Sequence, residues 1–232
     1  MRIELNVTLA CNRACPNCNR LCHIYKNREE HVTLQQVDKM KAQIRESDKV
    51  ISRIKVAGGE PLLNPEFKEI YYALSDAIDE GLVEKVKIDS NGSISYPKNL
   101  IRHPKILHGG KIPIKKIHLP VFVAPIDMNE TAIIGKCKVP SLCGYSLDHH
   151  GWLPCSAAIA IVRAFHLDHL YKQKLPQKVW GLNEVCQYCV FGMPDKWKKE
   201  HAKPLSEQYN FVSVSWQKAI ANSNGETTIN VY

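Results

Sequence analysis

Cys11, Cys15 and Cys18 stand in a C-x3-C-x2-C arrangement within Cys11-Asn12-Arg13-Ala14-Cys15-Pro16-Asn17-Cys18. Three thiols on one short loop can grip three corners of an iron–sulfur cube but not the fourth. Structural zinc is ordinarily closed by four ligands, and ferredoxin-type clusters take four cysteines. Three ligands therefore imply an open iron, and an open iron implies that something else binds there. Further on lies Gly58-Gly59-Glu60-Pro61. Its two glycines allow backbone to approach a ligand that side chains would block. Glu60 supplies a negative group beside a ligand's ammonium, and Pro61 stiffens the turn. The second half holds Cys137, Cys143, Cys155, Cys186 and Cys189, and Cys22 is left over as a small buried hydrophobe or a thiol facing a substrate.

Nine cysteines in 232 residues form clusters and include two C-x2-C pairs. In a reducing compartment such clusters are metal ligands more often than disulfides. Met1 to Leu5 lacks the apolar core of a signal peptide, and no apolar run approaches the roughly 18–20 residues of a membrane span. A cytoplasmic chain with no membrane partner is expected. With 44% hydrophobic and 23% charged residues the chain can bury a sizeable core. Its formal charge of +8 is spread over separate positions such as Lys115, Lys116, Lys196, Lys198 and Lys199. Scattered positives describe a solvated basic surface, which clusters bound by thiolates would offset, so nucleic acid is not an expected partner.

These residues must be held by regular elements. Residues 2–8 alternate, Ile3, Leu5 and Val7 against Glu4, Asn6 and Thr8, which predicts a strand whose polar face looks into a cavity or into solvent. Thr33 caps a helix from Leu34 to about Ser47, with Val37, Met40 and Ile44 at helical spacing. Ile51–Ala57 predicts a second strand. A helix from Asn64 or Pro65 carries Phe67, Ile70, Leu74 and Ile78 on one face and stops at Gly81. Val83–Asp89 predicts a third strand closed by Ser90-Asn91-Gly92. A short helix is placed at Pro97–Ile101, a fourth strand at Ile114–Val123, and a fifth at Thr131–Ile134. Alternation of strand and helix implies parallel units with the cysteine loop, the Gly-Gly-Glu-Pro turn and Ser90-Asn91 at the strands' C-terminal ends, where ligands bind in such folds. Beyond Pro125, Tyr145–Pro154 predicts a hairpin with His149-His150 exposed at its tip. A helix follows from Ser156 to Tyr171, and Phe211–Ile220 is a helix or a strand.

A C-x3-C-x2-C motif after the first strand, Gly-Gly-Glu-Pro after the second and Ser-Asn-Gly after the third resemble the radical S-adenosylmethionine (SAM) enzymes over roughly residues 1–125. The resemblance implies that Cys11, Cys15 and Cys18 bind a [4Fe–4S] cluster whose fourth iron chelates SAM, with Gly58, Gly59, Glu60, Pro61, Ser90 and Asn91 lining the cofactor. One departure is visible: the family's aromatic before the third cysteine is Asn17 here, leaving the adenine to a polar contact or to another aromatic such as Tyr25. Gly151-Trp152-Leu153-Pro154-Cys155 followed by Cys186-x2-Cys189 is similar to the twitch, or truncated SPASM, appendage. That likeness implies an auxiliary [4Fe–4S] cluster on Cys155, Cys186, Cys189 and either Cys137 or Cys143, with Cys137 favoured; a four-thiolate zinc knuckle shares the spacing.

The implied fold is α/β: an open, shortened partial (β/α) barrel of parallel strands followed by a small hairpin-plus-helix auxiliary iron–sulfur domain. The segments are 1–135 for the core, 136–195 for the auxiliary domain and 196–232 for a C-terminal extension. The shortened barrel is closed on its bare side by the auxiliary domain, a partner or a large substrate, unless a further strand lies between 93 and 113. The implied activity is that of a radical SAM oxidoreductase. It cleaves SAM reductively to a 5′-deoxyadenosyl radical and abstracts hydrogen from an unactivated carbon, oxidising or rearranging a small-molecule or peptide substrate. The catalytic residues are unassigned, and an external flavodoxin- or ferredoxin-like donor supplies the electron. The rival readings are a non-enzymatic iron–sulfur or zinc-binding protein for electron transfer or structure, and a glycyl-radical activase.

Overall fold

Strand β1 (Arg2–Thr8) is the centre of the molecule, and its alternation explains why. Ile3, Leu5 and Val7 are fully buried, and so, within 2%, are Glu4, Asn6 and Thr8. The computed structural model describes residues 1–15, 18–24, 30–109, 117–134, 137–204 and 212–222. β1 pairs in parallel with β2 (Arg53–Gly58), β2 with β3 (Val86–Asp89) and β3 with β4 (Ile106–Gly109). On its other side β1 pairs in parallel with β6 (Tyr145–Asp148), whose hairpin partner β7 (Gly151–Leu153) runs antiparallel. The order β4-β3-β2-β1-β6-β7 makes a six-stranded, mostly parallel open sheet, the architecture of a partial barrel.

Two helices cover one face. In α1 (Leu34–Glu46) the Thr33 hydroxyl accepts from Gln36 N–H while the Gln36 side chain accepts from Thr33 N–H, satisfying two otherwise orphaned donors. Val37, Met40 and Ile44 then meet Ile70, Leu74 and Ile78 of α2 (Phe67–Asp79) over the apolar sides of β1, β2 and β3. The opposite face is polar. One register row runs Ser146, Glu4, Lys55, Lys87 across β6, β1, β2 and β3. The polar side of β1 therefore faces the interior of the molecule, as a cavity wall and not as a wet edge.

Several expectations are corrected. Residues 97–101 form no helix, only a turn in which Leu100 N–H reaches Pro97 O. The further strand allowed for between 93 and 113 is β4, seeded by Ile106 on the apolar side. Of the fourth predicted strand, 114–116 lie outside the described residues, and only β5 (Ile117–His118) is extended, pairing antiparallel with β8 (Lys203–Pro204). Thr131–Ile134 is not a strand. The predicted helix from Ser156 is shorter, α4 (Ala158–Ala164), because His166 adopts a left-handed φ of 54° and ends it; Asp168–Leu170 is a separate 3-10 turn. His149 and His150 are not exposed but 6% and 3% accessible, since the hairpin tip is covered by Glu30, Arg163 and Tyr171.

The second half adds α3 (Val139–Cys143), α5 (Leu182–Cys186), α6 (Asp195–His201) and α7 (Val214–Asn222). α7 is started by Asp127, whose carboxylate accepts from Ser215 N–H at 2.9 Å and from the Ser213 and Ser215 hydroxyls. It packs Trp216 against Phe122 and Phe165. No helix among the described residues is long and apolar enough to cross a membrane.

Gly144 lets β6 meet β1. Its φ of 84° and ψ of −161° lie in a region only glycine occupies, and a Cβ there would overlap the Arg2 carbonyl. Gly81 has a φ of 76° with open space around its Cβ position. Gly144→Ala should therefore cost about 4 kcal/mol or more and Gly81→Ala only about 1 kcal/mol. Urea denaturation of the two variants reads the difference; equal costs would mean that the approach to Arg2 does not matter.

Candidate functional site

β1 ends at Thr8, and the chain continues through Leu9 and Ala10 into Cys11. Gly59 N–H donates to Thr8 O at 2.7 Å and Glu60 N–H to Ala10 O at 2.8 Å, extending the β1–β2 ladder to the foot of the cysteine loop. A Cβ on Gly58, at φ 130°, would overlap Thr8 O, and one on Gly59 would overlap Ala10 O. The two glycines are thus required by the chain's own close approach. The Glu60 carboxylate is likewise engaged within the chain. It is fully buried, Oε1 accepting from Leu62 N–H at 3.2 Å and Oε2 from Asn91 N–H at 2.7 Å. Pro61 opens a 3-10 turn that Glu60 caps.

Glu60 so ties the end of β2 to the turn after β3. From that turn Asn91 Nδ2 lies 3.9 Å from Cys11 Sγ and donates to Asn12 Oδ1 at 3.0 Å, while Asn12 Nδ2 donates to Ser93 Oγ at 2.8 Å. Ser90 is buried, its hydroxyl accepting from Gly92 N–H. Asn12 and Ser93 had no signal of their own beyond standing next to motifs.

The third cysteine is anchored from inside. Arg20, two residues on, donates to Glu4 Oε1 at 2.6 Å and to Asn6 Oδ1 at 2.7 Å. Lys55 Nζ reaches Glu4 Oε2 at 3.0 Å and Asp89 Oδ2 at 3.3 Å, and Lys87 reaches Asp89 Oδ1 at 2.8 Å. Burial alone would raise the Glu4 carboxyl; Arg20, then Lys55, outweigh it and hold it below its ordinary value. The Cys18 thiol is lowered to about 4, first by a hydrogen bond from Cys22 and then, against burial, by His23 and backbone N–H groups. Cys22 is 1% accessible and raised in turn, by that bond and by burial. Burial, then Cys18 and Cys11, raise Cys15. A soft thiol triad suits an iron–sulfur cluster. Asn17 and Tyr25 lie outside the described residues.

Cys137, Cys155, Cys186 and Cys189 line one apolar pocket with Val185 and Phe191, whereas Cys143 lines a different one. Burial pushes Cys155 up to about 12 and Cys186 to about 11, with Cys137 adding to both. Cys189 is raised by burial and then by Cys155. Thiols that raise one another in an apolar pocket are the donor set a metal would deprotonate outright. A cavity of about 130 Å³ is lined by residues of both halves of the chain. Glu4, Lys55 and Asn19 line one wall, and Phe122, Cys189 and Trp216 the other.

This arrangement of three strand ends around a cysteine loop coincides with a family match. Residues 5–109 match the model described as the Radical SAM superfamily, from within β1 to the end of β4, so this segment is a radical SAM domain. The match spans just under half of the chain and leaves the second half unassigned. No curated protein matches the chain. Among solved structures it is similar to BtrN in complex with AdoMet and 2-DOIA, with 16% identity over 88% of this chain and 87% of that one, at a TM-score of 0.44. It is also similar to selenomethionine BtrN in an open conformation, with 16% identity over 91% and 97% and a TM-score of 0.42.

Two measurements follow. Glu60→Gln replaces an acceptor with a donor facing backbone N–H groups, at a cost of about 1–3 kcal/mol. Hydrogen exchange at the Leu62 and Asn91 amides should then accelerate tenfold or more; unchanged protection would refute the clasp. For Glu4 the sign is that of a depressed carboxylate. Its contribution is present above the unfolded carboxyl value of 4.5 and is lost as pH falls through the folded one. Glu4→Gln should therefore flatten the loss of stability below pH 4.5, read by urea titration of both proteins across that range.

Proposed function

We propose that the whole chain is a radical SAM enzyme with two iron–sulfur clusters and a small polar substrate. The observation that carries this reading is the convergence of Cys11, the Gly58–Glu60 turn and Asn91 at one sheet edge within the radical SAM domain. Cys11, Cys15 and Cys18 would hold a [4Fe–4S] cluster and leave one iron for SAM, with Gly58, Gly59, Glu60, Pro61, Ser90 and Asn91 around the cofactor. When bound, the cluster and SAM supply a one-electron cleavage that yields a 5′-deoxyadenosyl radical able to take hydrogen from unactivated carbon.

The chain's own share is to orient and to exclude water. Arg20 fixes the loop after Cys18 on the polar wall. Asn91 orients Asn12 at the foot of the loop. Glu4 and Lys55 give the cavity a charged, hydrogen-bonding wall opposite Phe122 and Trp216. Such a lining selects a small molecule carrying hydroxyl, amino or carboxyl groups on an apolar frame.

Cys137, Cys155, Cys186 and Cys189 would hold an auxiliary [4Fe–4S] cluster in a twitch-type domain spanning 136–195, with 196–232 as an extension. Their shared pocket supports Cys137 over Cys143 as the fourth ligand. An auxiliary cluster near the cavity would accept one electron from the substrate radical left by hydrogen abstraction, oxidising it to product, which favours an oxidoreductase. A flavodoxin- or ferredoxin-like protein in the cytoplasm would serve as donor.

Anaerobic reconstitution should yield about eight irons per chain and dithionite-dependent release of 5′-deoxyadenosine. Cys15→Ala should retain about four irons and release none. Cys186→Ala should also fall to about four irons but keep cleavage of SAM, and Cys143→Ala should keep all eight. Zinc in place of iron, or no cleavage, would overturn the reading. Cleavage that requires a large protein partner would move it to an activase.

A further inference from the structure

Glu30, His149 and His150 form a second cluster of ligand-type side chains, on the side of β1 away from β2. Their donor atoms lie within 4.8 Å of one another. Glu30 is fixed by its own backbone, Leu9 N–H donating to Glu30 O at 3.2 Å. The histidines occupy the turn between β6 and β7, fixed by His150 N–H on Asp148 Oδ1 at 2.9 Å and by Gln36 Nε2 on His149 O at 2.8 Å.

Arg163 donates to Glu30 Oε2 at 2.7 Å and to Asp148 Oδ2 at 3.2 Å, and the Tyr171 hydroxyl donates to the same Asp148 oxygen at 2.9 Å. His149 Nε2 and both ring nitrogens of His150 are buried with no hydrogen-bond partner, on side chains only 8% and 3% accessible. His149 Nε2 is 3.3 Å from Glu30 Oε2 without hydrogen-bonding geometry, and His150 Nε2 is 3.8 Å from Glu30 Oε1. Buried polar atoms are ordinarily paired, and two unpaired Nε2 atoms, one from each ring, beside one carboxylate call for a partner.

We propose that Glu30, His149 and His150 bind a divalent cation, of which zinc is the best match. Two imidazoles and a carboxylate are a zinc donor set, and ligands about 2.0–2.1 Å from a tetrahedral ion lie about 3.4 Å apart. The two histidine-to-carboxylate separations, 3.3 and 3.8 Å, are within a few tenths of an ångström of that spacing, and all three donors lie within 4.8 Å of one another. Asp148 is not a ligand, because both its oxygens are engaged. Asp148 and Arg163 form the surrounding shell, Arg163 bridging the Glu30 carboxylate to it as outer partners of metal ligands do. Three protein ligands leave a fourth position for water. The ion would fasten the return of the cysteine loop, at Glu30, to the hairpin that joins the second half of the chain to β1. This inference does not depend on the redox reading of the cysteines.

The test uses the full chain with its cysteines loaded with iron and sulfide, so that thiols do not compete. It is equilibrated with one equivalent of zinc sulfate and desalted, then examined by metal analysis and zinc-edge X-ray absorption. About one zinc per chain with a nitrogen/oxygen shell near 2.0–2.1 Å is expected. His150→Ala and Glu30→Gln should weaken retention at least tenfold, while His169→Ala, an exposed histidine paired with Glu184, should leave it unchanged. No retained zinc, a sulfur shell near 2.3 Å alone, or full retention in the His149→Ala, His150→Ala double variant would overturn the proposal. Should a variant fail to fold, the wild-type absorption spectrum still decides.

Discussion

The backbone of Gly58 and Gly59 lies against that of Thr8 to Ala10 closer than any Cβ allows. Most of the site depends on that contact. It carries the β1–β2 ladder past the end of both strands, so the cysteine loop leaves from a point fixed by two hydrogen bonds and not from a free strand end. It also drives Glu60 inward, where a bare carboxylate would be costly without donors. The donors are backbone N–H groups of Leu62 and Asn91, and accepting from Asn91 draws in the turn after β3. One steric constraint thereby assembles three separate segments.

The polar wall of the sheet follows the same logic of forced satisfaction. Glu4 sits on the central strand, buried on all sides, and is stable there because Arg20 and Lys55 both reach it. A buried ion pair contributes little net stability against an apolar replacement, since desolvation offsets the attraction. Its value here is positional. Arg20 belongs to the cysteine loop, so the charge on β1 dictates where the segment after Cys18 runs.

The second half of the chain completes the sheet. β6 hydrogen-bonds along the edge of β1 that would otherwise be bare, an exposed edge being a template for unwanted pairing. Glu4, Asn19 and Lys55 of the first half line the same cavity as Cys143 and Cys189 of the second. Phe122, Phe165 and Trp216 clasp that half together, with Phe165 stacked on Tyr188 at 3.8 Å beside Cys189. The cavity between the halves is polar on the sheet side and aromatic on the other.

Local chemistry made much of this legible in advance. Period-two alternation in residues 2–8 marked β1, the Thr33 cap and apolar spacing marked α1, and the cysteine spacings with Gly-Gly-Glu marked the loop and its neighbour. Each of those signals is contained within a few residues, so one chain read in order reveals it. Four-residue β4 was hidden because a short strand is stabilised by pairing with β3 more than by its own composition. His149 and His150 read as a wet turn because nothing adjacent in sequence covers them; Glu30, Arg163 and Tyr171 come from distant positions. The choice between Cys137 and Cys143 as the neighbour of Cys155, and the close approach at Gly58 and Gly59, likewise rest on which segments meet. The sequence by itself determined which side chains can do chemistry and on which elements they ride. Only the tertiary structure decided which of them share a pocket, because burial and convergence arise from contacts between segments far apart along the chain.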